Sequence, residues 1–437
     1  MIITTTKIHS SFGAIARFFI LHFNLYPLKE IFHSHTLPNG MRIIHMMSPT
    51  HVAYCGIAID AGTRNEQPSE QGMAHFCEHI MFKGTQKRRA WHILNRMEAV
   101  GGDLNAYTNK EETVVYAAFM KEHLARATEL IADVVFNSTY PQHEIDKEAE
   151  VIVEEIESYN DTPSELIFDE FEDIIFKGHP LGHDILGTKE KVRSFRTEDA
   201  IQFTQRLYRP ERMVFFVFGN YTFERVKKTA EKYLQNHSSR STLHVSPSTF
   251  HASSKGETIV RNKGTHQAHV MMGCPAYPSN DKKRVALYFL NNLIGGPGMN
   301  SILNIALREH HGLVYTVESS LTNYTDTATF AIYFGCDAED VEKCLRIVRK
   351  ELDKLMQTPL TKRQFEAAMK QIRGQIGVAC DNFENYALDM AKSFLHYNKF
   401  EGVEDTFQHL NQLTPELLQE VAQDLFSEQN LTTLIFQ

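Results

Sequence analysis

One order of strand and helix signals runs twice along this chain, on either side of residues 236–256. That stretch, NHSSRSTLHVSPSTFHASSKG, is rich in Ser, Thr and His and lacks a helix period, so it reads as a linker. Before it, Asn39-Gly40 marks a hairpin between two strands. His51 to Ala61 is apolar on both faces, as a central, covered strand must be. One helix runs through His75 to Gly84, and another from Ala90 to Gly101-Gly102. Strands follow from Asp103 to Met120, helices over residues 122–136 and 142–160, and a buried strand over Arg212 to Gly219. After the linker, Thr265-His266-Gln267-Ala268 opens a strand as Thr50-His51-Val52-Ala53 does. A helix ending at Gly295-Gly296 answers the one ending at Gly84, and Thr358-Pro359 answers Tyr140-Pro141. The organisation expected is an N-terminal extension over 1–31, domains over 32–235 and 257–437, and the linker between them.

At 437 residues, two or three domains are expected, and 42% hydrophobic with 23% charged residues suits a soluble protein with sizeable cores. A net charge of −9 without a long basic block argues against a nucleic-acid partner. None of the six cysteines forms C-x-x-C, which favours a reduced, intracellular chain. Residues 1–29 carry Lys7, Arg17 and Lys29 and no acidic residue. Their apolar part is too short and too interrupted to span a bilayer, and no other segment reads as a membrane span. A bacterial cytoplasmic protein is expected. An organellar matrix or the periplasm stands as the alternative if this segment is a targeting signal.

Within the first helix lies His75-Phe76-Cys77-Glu78-His79, an H-x-x-E-H pattern. Residues four apart share a helix face, so the two imidazoles can reach one metal ion at about 2.0–2.1 Å. Glu78 lies at the edge of that face, placed to polarise a water on the metal without being a ligand. Cys77 points away from it and reads as core. A catalytic zinc needs a third protein ligand. The acidic helix 142–160 presents Glu148 and Glu155 two turns apart, with Val151 and Ile152 between them. A carboxylate on an apolar face is costly unless paired or metal-bound. Glu155 is therefore the expected ligand, Glu154 its rival, and Glu148 a partner that orients a histidine. In the second copy, His75, His79 and Glu155 fall opposite Leu287, Asn291 and Arg373, so only the first copy carries metal chemistry.

These motifs together resemble the pitrilysin/insulinase zinc peptidases, whose inverted motif is H-x-x-E-H. The matching stretches are HFCEHIMFKGT (His75–Thr85), GGDLNAYTNKEETVVY (Gly101–Tyr116) and EAEVIVEEI (Glu148–Ile156), with REHHGLVY (Arg308–Tyr315) in the second half. The resemblance implies an α+β fold of two homologous domains, each a mostly antiparallel sheet packed with helices, together forming half of a clamshell peptidase. It implies one Zn2+ per chain on His75, His79 and Glu155, with Glu78 as general base. Arg308 and Tyr315 would stabilise the oxyanion. Read without it, Arg308 is a surface helix residue and Tyr315 core. The strand at Asn105-Ala106-Tyr107-Thr108 resembles the family's peptide-capturing edge strand. Phe76, Asn105, Ala106 and Tyr107 are accordingly expected to meet substrate.

The length matches the half-length branch, which includes mitochondrial processing peptidases and bacterial homodimers. A dimer is implied, a homodimer or alternatively a heterodimer, with Arg308 and Tyr315 serving the partner's zinc. The function implied is zinc-dependent endopeptidase action on peptides or unfolded segments in a closed chamber. The competing reading is a non-catalytic or partner-dependent subunit that binds peptides.

Overall fold

The computed structural model describes residues 32–238 and 256–437. The expected extension 1–31 and residues 239–255 of the expected linker lie outside the described residues.

The first unit opens with β1 (Phe32–Thr36) and β2 (Arg42–Met47), whose hairpin turns at Gly40 with φ +90°. It continues through β3 (Val52–Ile59), α1 (Met73–Ile80), α2 (Ala90–Glu98), β4 (Asp103–Thr108) and β5 (Thr113–Met120). Helices α3 (Leu124–Asn137), α4 (Gln142–Asn160), α5 (Pro163–Ile175), α6 (Lys189–Ser194) and α7 (Thr197–Leu207) follow. Strand β6 (Met213–Gly219) and α8 (Phe223–Leu234) close the unit. Its sheet has the order β1-β2-β6-β3-β5-β4, antiparallel except between β2 and β6.

The second unit contains β7 (Thr258–Arg261), β8 (Ala268–Ala276), α9 (Arg284–Gly295), β9 (Val314–Asn323) and β10 (Ala328–Cys336). Helices α10 (Val341–Gln357), α11 (Lys362–Ala379), α12 (Phe383–Tyr397), α13 (Val403–Leu410) and α14 (Pro415–Leu425) lead to β11 (Thr432–Phe436). Its sheet runs β7-β11-β8-β10-β9, and its parallel pair, β7 with β11, takes the place of β2 with β6. The two units thus share one strand order, with β1 the addition in the first. Helix α4 packs on α1 as α11 packs on α9.

Each sheet has one face covered by its own helices and the other by a helix of the opposite unit. Ala53, Cys55, Ile57 and Ile59 of β3 point into the core shared with α1 and α3. The opposite face, with Ala58, Val114, Tyr116, Val214 and Phe216, packs against Ala387, Met390, Ala391 and Phe394 of α12. Reciprocally, Leu166, Ile167, Phe171 and Ile175 of α5 cover Met271, Ala331, Tyr333 and Leu434 of the second sheet. Burial on both faces is why β3, β5 and β6 read as continuous apolar runs rather than alternating ones. No helix among the described residues is long and apolar enough to cross a membrane.

Candidate metal centre

Helix α1 forms because Met73, Phe76, Cys77 and Ile80 recur at one-face spacing, and all four are buried in the first core. His75, Glu78 and His79 occupy the neighbouring stripe. The helix runs into a 3-10 turn, Met81–Lys83, and Gly84, with φ +155°, turns the chain away. Helix α4 buries Ile145, Ala149, Ile152 and Ile156 in the same core, which carries its Glu148–Glu155 edge across to α1. Val151, counted with the apolar face in the sequence, is 48% exposed. The buried stripe instead runs through Ile152 and Ile156.

His75 Nε2 lies 3.9 Å from Glu155 Oε1, and His79 Nε2 lies 3.6 Å from Glu155 Oε2. One donor atom from each of these three residues lies within 4.8 Å of the others, and among the described residues no other such group of His, Cys, Asp or Glu occurs. Ligands at about 2.1 Å from a tetrahedral ion stand roughly 3.4 Å apart, so small side-chain adjustments bring this set to zinc geometry. Two imidazoles and a carboxylate are a donor set that fits a catalytic zinc. Glu154 is exposed and outside the cluster.

The surroundings prepare the donors. Burial, and then the neighbouring His79, push His75 down to about 3, so its ring is neutral and available as a ligand at neutral pH. Glu148 Oε1 accepts from His79 Nδ1 at 3.2 Å, and its Oε2 accepts from Lys83 Nζ at 2.6 Å. Burial works against the charge on Glu148, but the bonds from His79 and Lys83 outweigh it and hold its carboxyl below the ordinary range. The Glu78 carboxyl is pushed up by burial, partly offset by His79 and by a hydrogen bond from Thr108. Burial also raises Glu155, against the pull of His79.

Phe76 requires a correction: it is fully buried and packs edge-on against Phe195 at 5.1 Å, so it is core and not a substrate contact. The other substrate candidates divide across the edge strand β4. Ala106 packs on the α1 side, Tyr107 on the α12 side, and Asn105 is exposed. Cys77 is buried core. Tyr315, core by composition alone, is 82% exposed at the start of β9, with the Arg308 guanidinium 5.9 Å from its ring centroid. Both line a cleft of about 1160 Å³ in the second unit that includes none of His75, Glu78, His79 or Glu155. At the position matching Glu155, Arg373 donates to Asn411 and lies 5.4 Å from the Phe407 ring.

Sequence reasoning assigns no role to Lys83, Thr108 or Glu66. Lys83 follows His79 by four residues, a same-face spacing that signals it. Thr108 ends the edge strand that carries the substrate candidates. Glu66, whose carboxylate accepts from the N–H groups of Gly72 and Ala74, carries no local signal because it acts across a loop.

Residues 42–189 match the family described as "Insulinase (Peptidase family M16)", and residues 194–372 match "Peptidase M16 inactive domain". An "Uncharacterized zinc protease" of Bacillus subtilis is 30% identical over 402 residues, covering 92% of this chain and 97% of that protein. One of Streptomyces coelicolor is 31% identical over 408 residues, covering 92% and 88%. In fold, the chain is similar to a protease from Helicobacter pylori, with a TM-score of 0.87 at 22% identity over 93% of this chain and 99% of that one. A putative M16-like peptidase from Alicyclobacillus acidocaldarius gives 0.79 at 21% identity, covering 94% and 99%.

Proposed function

This chain belongs to the M16 (insulinase) peptidase family, and from that premise we propose that it is a zinc-dependent endopeptidase acting on peptides or unfolded segments. The convergence of His75 Nε2, His79 Nε2 and the Glu155 carboxylate beside a buried Glu78 carries this reading. Zinc held by those three residues supplies Lewis acidity toward a water and the scissile carbonyl. The Glu78 carboxylate takes a proton from the attacking water and returns it to the departing amine nitrogen. Its burial strengthens its hold on that proton, as a group that is base and then acid requires. Glu148 keeps the His79 ring turned with Nε2 inward. Strand β4, at the sheet edge beside α1, offers unpaired backbone groups to an extended peptide.

Arg308 and Tyr315 of a second copy supply the cation and the phenol for the oxyanion. Their exposure, in a cleft that includes no metal-site residue, supports a site completed in trans by a homodimer.

Glu78→Gln tests the catalytic assignment. It is expected to keep one zinc per chain by elemental analysis and to lose about 10²–10⁴-fold in hydrolysis of a flexible peptide. Full activity in that variant overturns it. Mixing Glu78→Gln chains with Arg308→Ala chains tests the sharing: random pairing restores roughly a quarter of wild-type activity if the site is shared, and none if each chain is self-sufficient.

A further inference from the structure

The helix that carries His75, Glu78 and His79 is eight residues long and opens on Gly72, which has no side chain to cap it. So short a helix is not held by propensity, and its first-turn N–H groups need acceptors from elsewhere. Glu66 supplies two of those at the helix opening: its Oε2 accepts from the N-cap Gly72 N at 3.0 Å and its Oε1 from Ala74 N at 2.8 Å, while Met73 N donates to the Glu70 carbonyl. The Glu66 side chain is 0% exposed, and a third group, His183, closes on it with Nε2 2.9 Å from Oε2.

The loop bearing His183 is itself anchored. Lys110 Nζ donates to the His183 carbonyl, and Gly187 lies so close to Gly72 that a Cβ on Gly187 would fall 2.8 Å from Gly72 Cα. Two residues before Glu66, Arg64 bonds Glu111 at 2.7 Å and Asp326 of the second unit at 2.8 Å. The second copy is built differently: α9 opens on a local bond from Lys283 N to Asp281 Oδ1 at 2.7 Å, and that helix carries no metal residue. His75 is the ligand this matters to most. It stands in the first turn of α1, and its Nδ1 is buried with no hydrogen-bond partner among the described residues. His79 has Glu148 to orient it. The place of His75 is set by the helix backbone.

We propose that Glu66 is a positioning residue for the metal site, fixing the height and rotation of the first turn of α1 and thereby the place of His75. This presupposes the zinc-site reading above. Without its carboxylate, two buried N–H groups and the His183 ring lose their partner, and fraying or rotation of the first turn is the readiest relief.

The test uses the full chain with Glu66→Gln, which keeps the shape and one acceptor. Zinc affinity is measured by competition with a chromophoric chelator, with kcat and KM on a flexible peptide and the thermal midpoint recorded in parallel. Zinc binding about 10–100-fold weaker is expected, with kcat lowered and KM for peptide little changed. A folded variant with a lowered thermal midpoint but wild-type zinc affinity and kcat overturns the proposal and leaves Glu66 merely structural. If Glu66→Gln does not fold, His183→Ala, which removes one of the three partners, is expected to weaken zinc in the same direction, and wild-type affinity there overturns the proposal instead. Wild-type protein that binds no zinc overturns the zinc reading itself, and this inference with it.

Discussion

Lys83 and His79 compete for nothing at Glu148: each takes a separate oxygen, at 2.6 and 3.2 Å. The carboxylate is thereby held as an anion beside the candidate ligands, and the His79 ring is held in one orientation. Replacing Glu148 by Gln removes that charge while keeping the shape. Zinc affinity, measured by chelator competition, is expected to fall about 10-fold or more, and Lys83→Met is expected to follow in the same direction by less. Glu148 and Glu155 are legible in the sequence because a two-turn spacing puts both on one edge of a helix. The burial of Phe76 is legible by the same rule. It lies about 100° round the helix from His75, on the apolar face with Met73, Cys77 and Ile80, and its assignment to substrate followed the motif instead of that face.

Helices α5 and α12 are exchanged between the units, and each closes the open face of the other's sheet. Met390 of α12 is fully buried against β3 and β6, although it belongs to the unit that carries no metal residue. Met390→Ala is expected to cost about 2–5 kcal/mol in denaturant unfolding. On α11, by contrast, only Ile372 is buried, and Val378 is 76% exposed. Val378→Ala is expected to stay within about 0.5 kcal/mol of wild type. The strands are legible as covered on both faces, but which helix covers each face is not, since an amphipathic stripe does not name its partner.

Across the whole molecule, charged and polar pairs stitch the units together. Glu112, 0% exposed, meets Lys392 at 3.0 Å and His396 at 2.9 Å. Tyr116 donates to Glu384 and Tyr324 to Glu172, each at 2.7 Å. Burial opposes the charge on Glu112, but the His396 hydrogen bond and the Lys392 charge prevail and hold its carboxyl at about 2, from an ordinary 4.5. A depressed carboxyl contributes stability above its unfolded value and loses it as pH falls toward the folded one. The wild-type protein is therefore expected to lose stability as pH drops from about 4.5 to about 2. Glu112→Gln is expected to be less stable at neutral pH and to show a shallower loss over that window, by thermal unfolding at a series of pH values. An identical slope in both proteins counts against the seam as an acid-sensitive element.

His75, Glu78 and His79 were determined locally, because a four-residue helical repeat places side chains on one face whatever surrounds it. The repeated order of elements was likewise written in periodicity and turn residues, and both sheets carry it. Helix spacing also favoured Glu155 over its rival Glu154, but tertiary structure decided that this edge of α4 docks on α1 and faces the histidines. It also decided that Glu66 reaches back to the opening of α1 and that Tyr315 stands in solvent, 82% exposed. Those outcomes depend on which surfaces meet, and contacts between residues distant in the chain leave no local period to read.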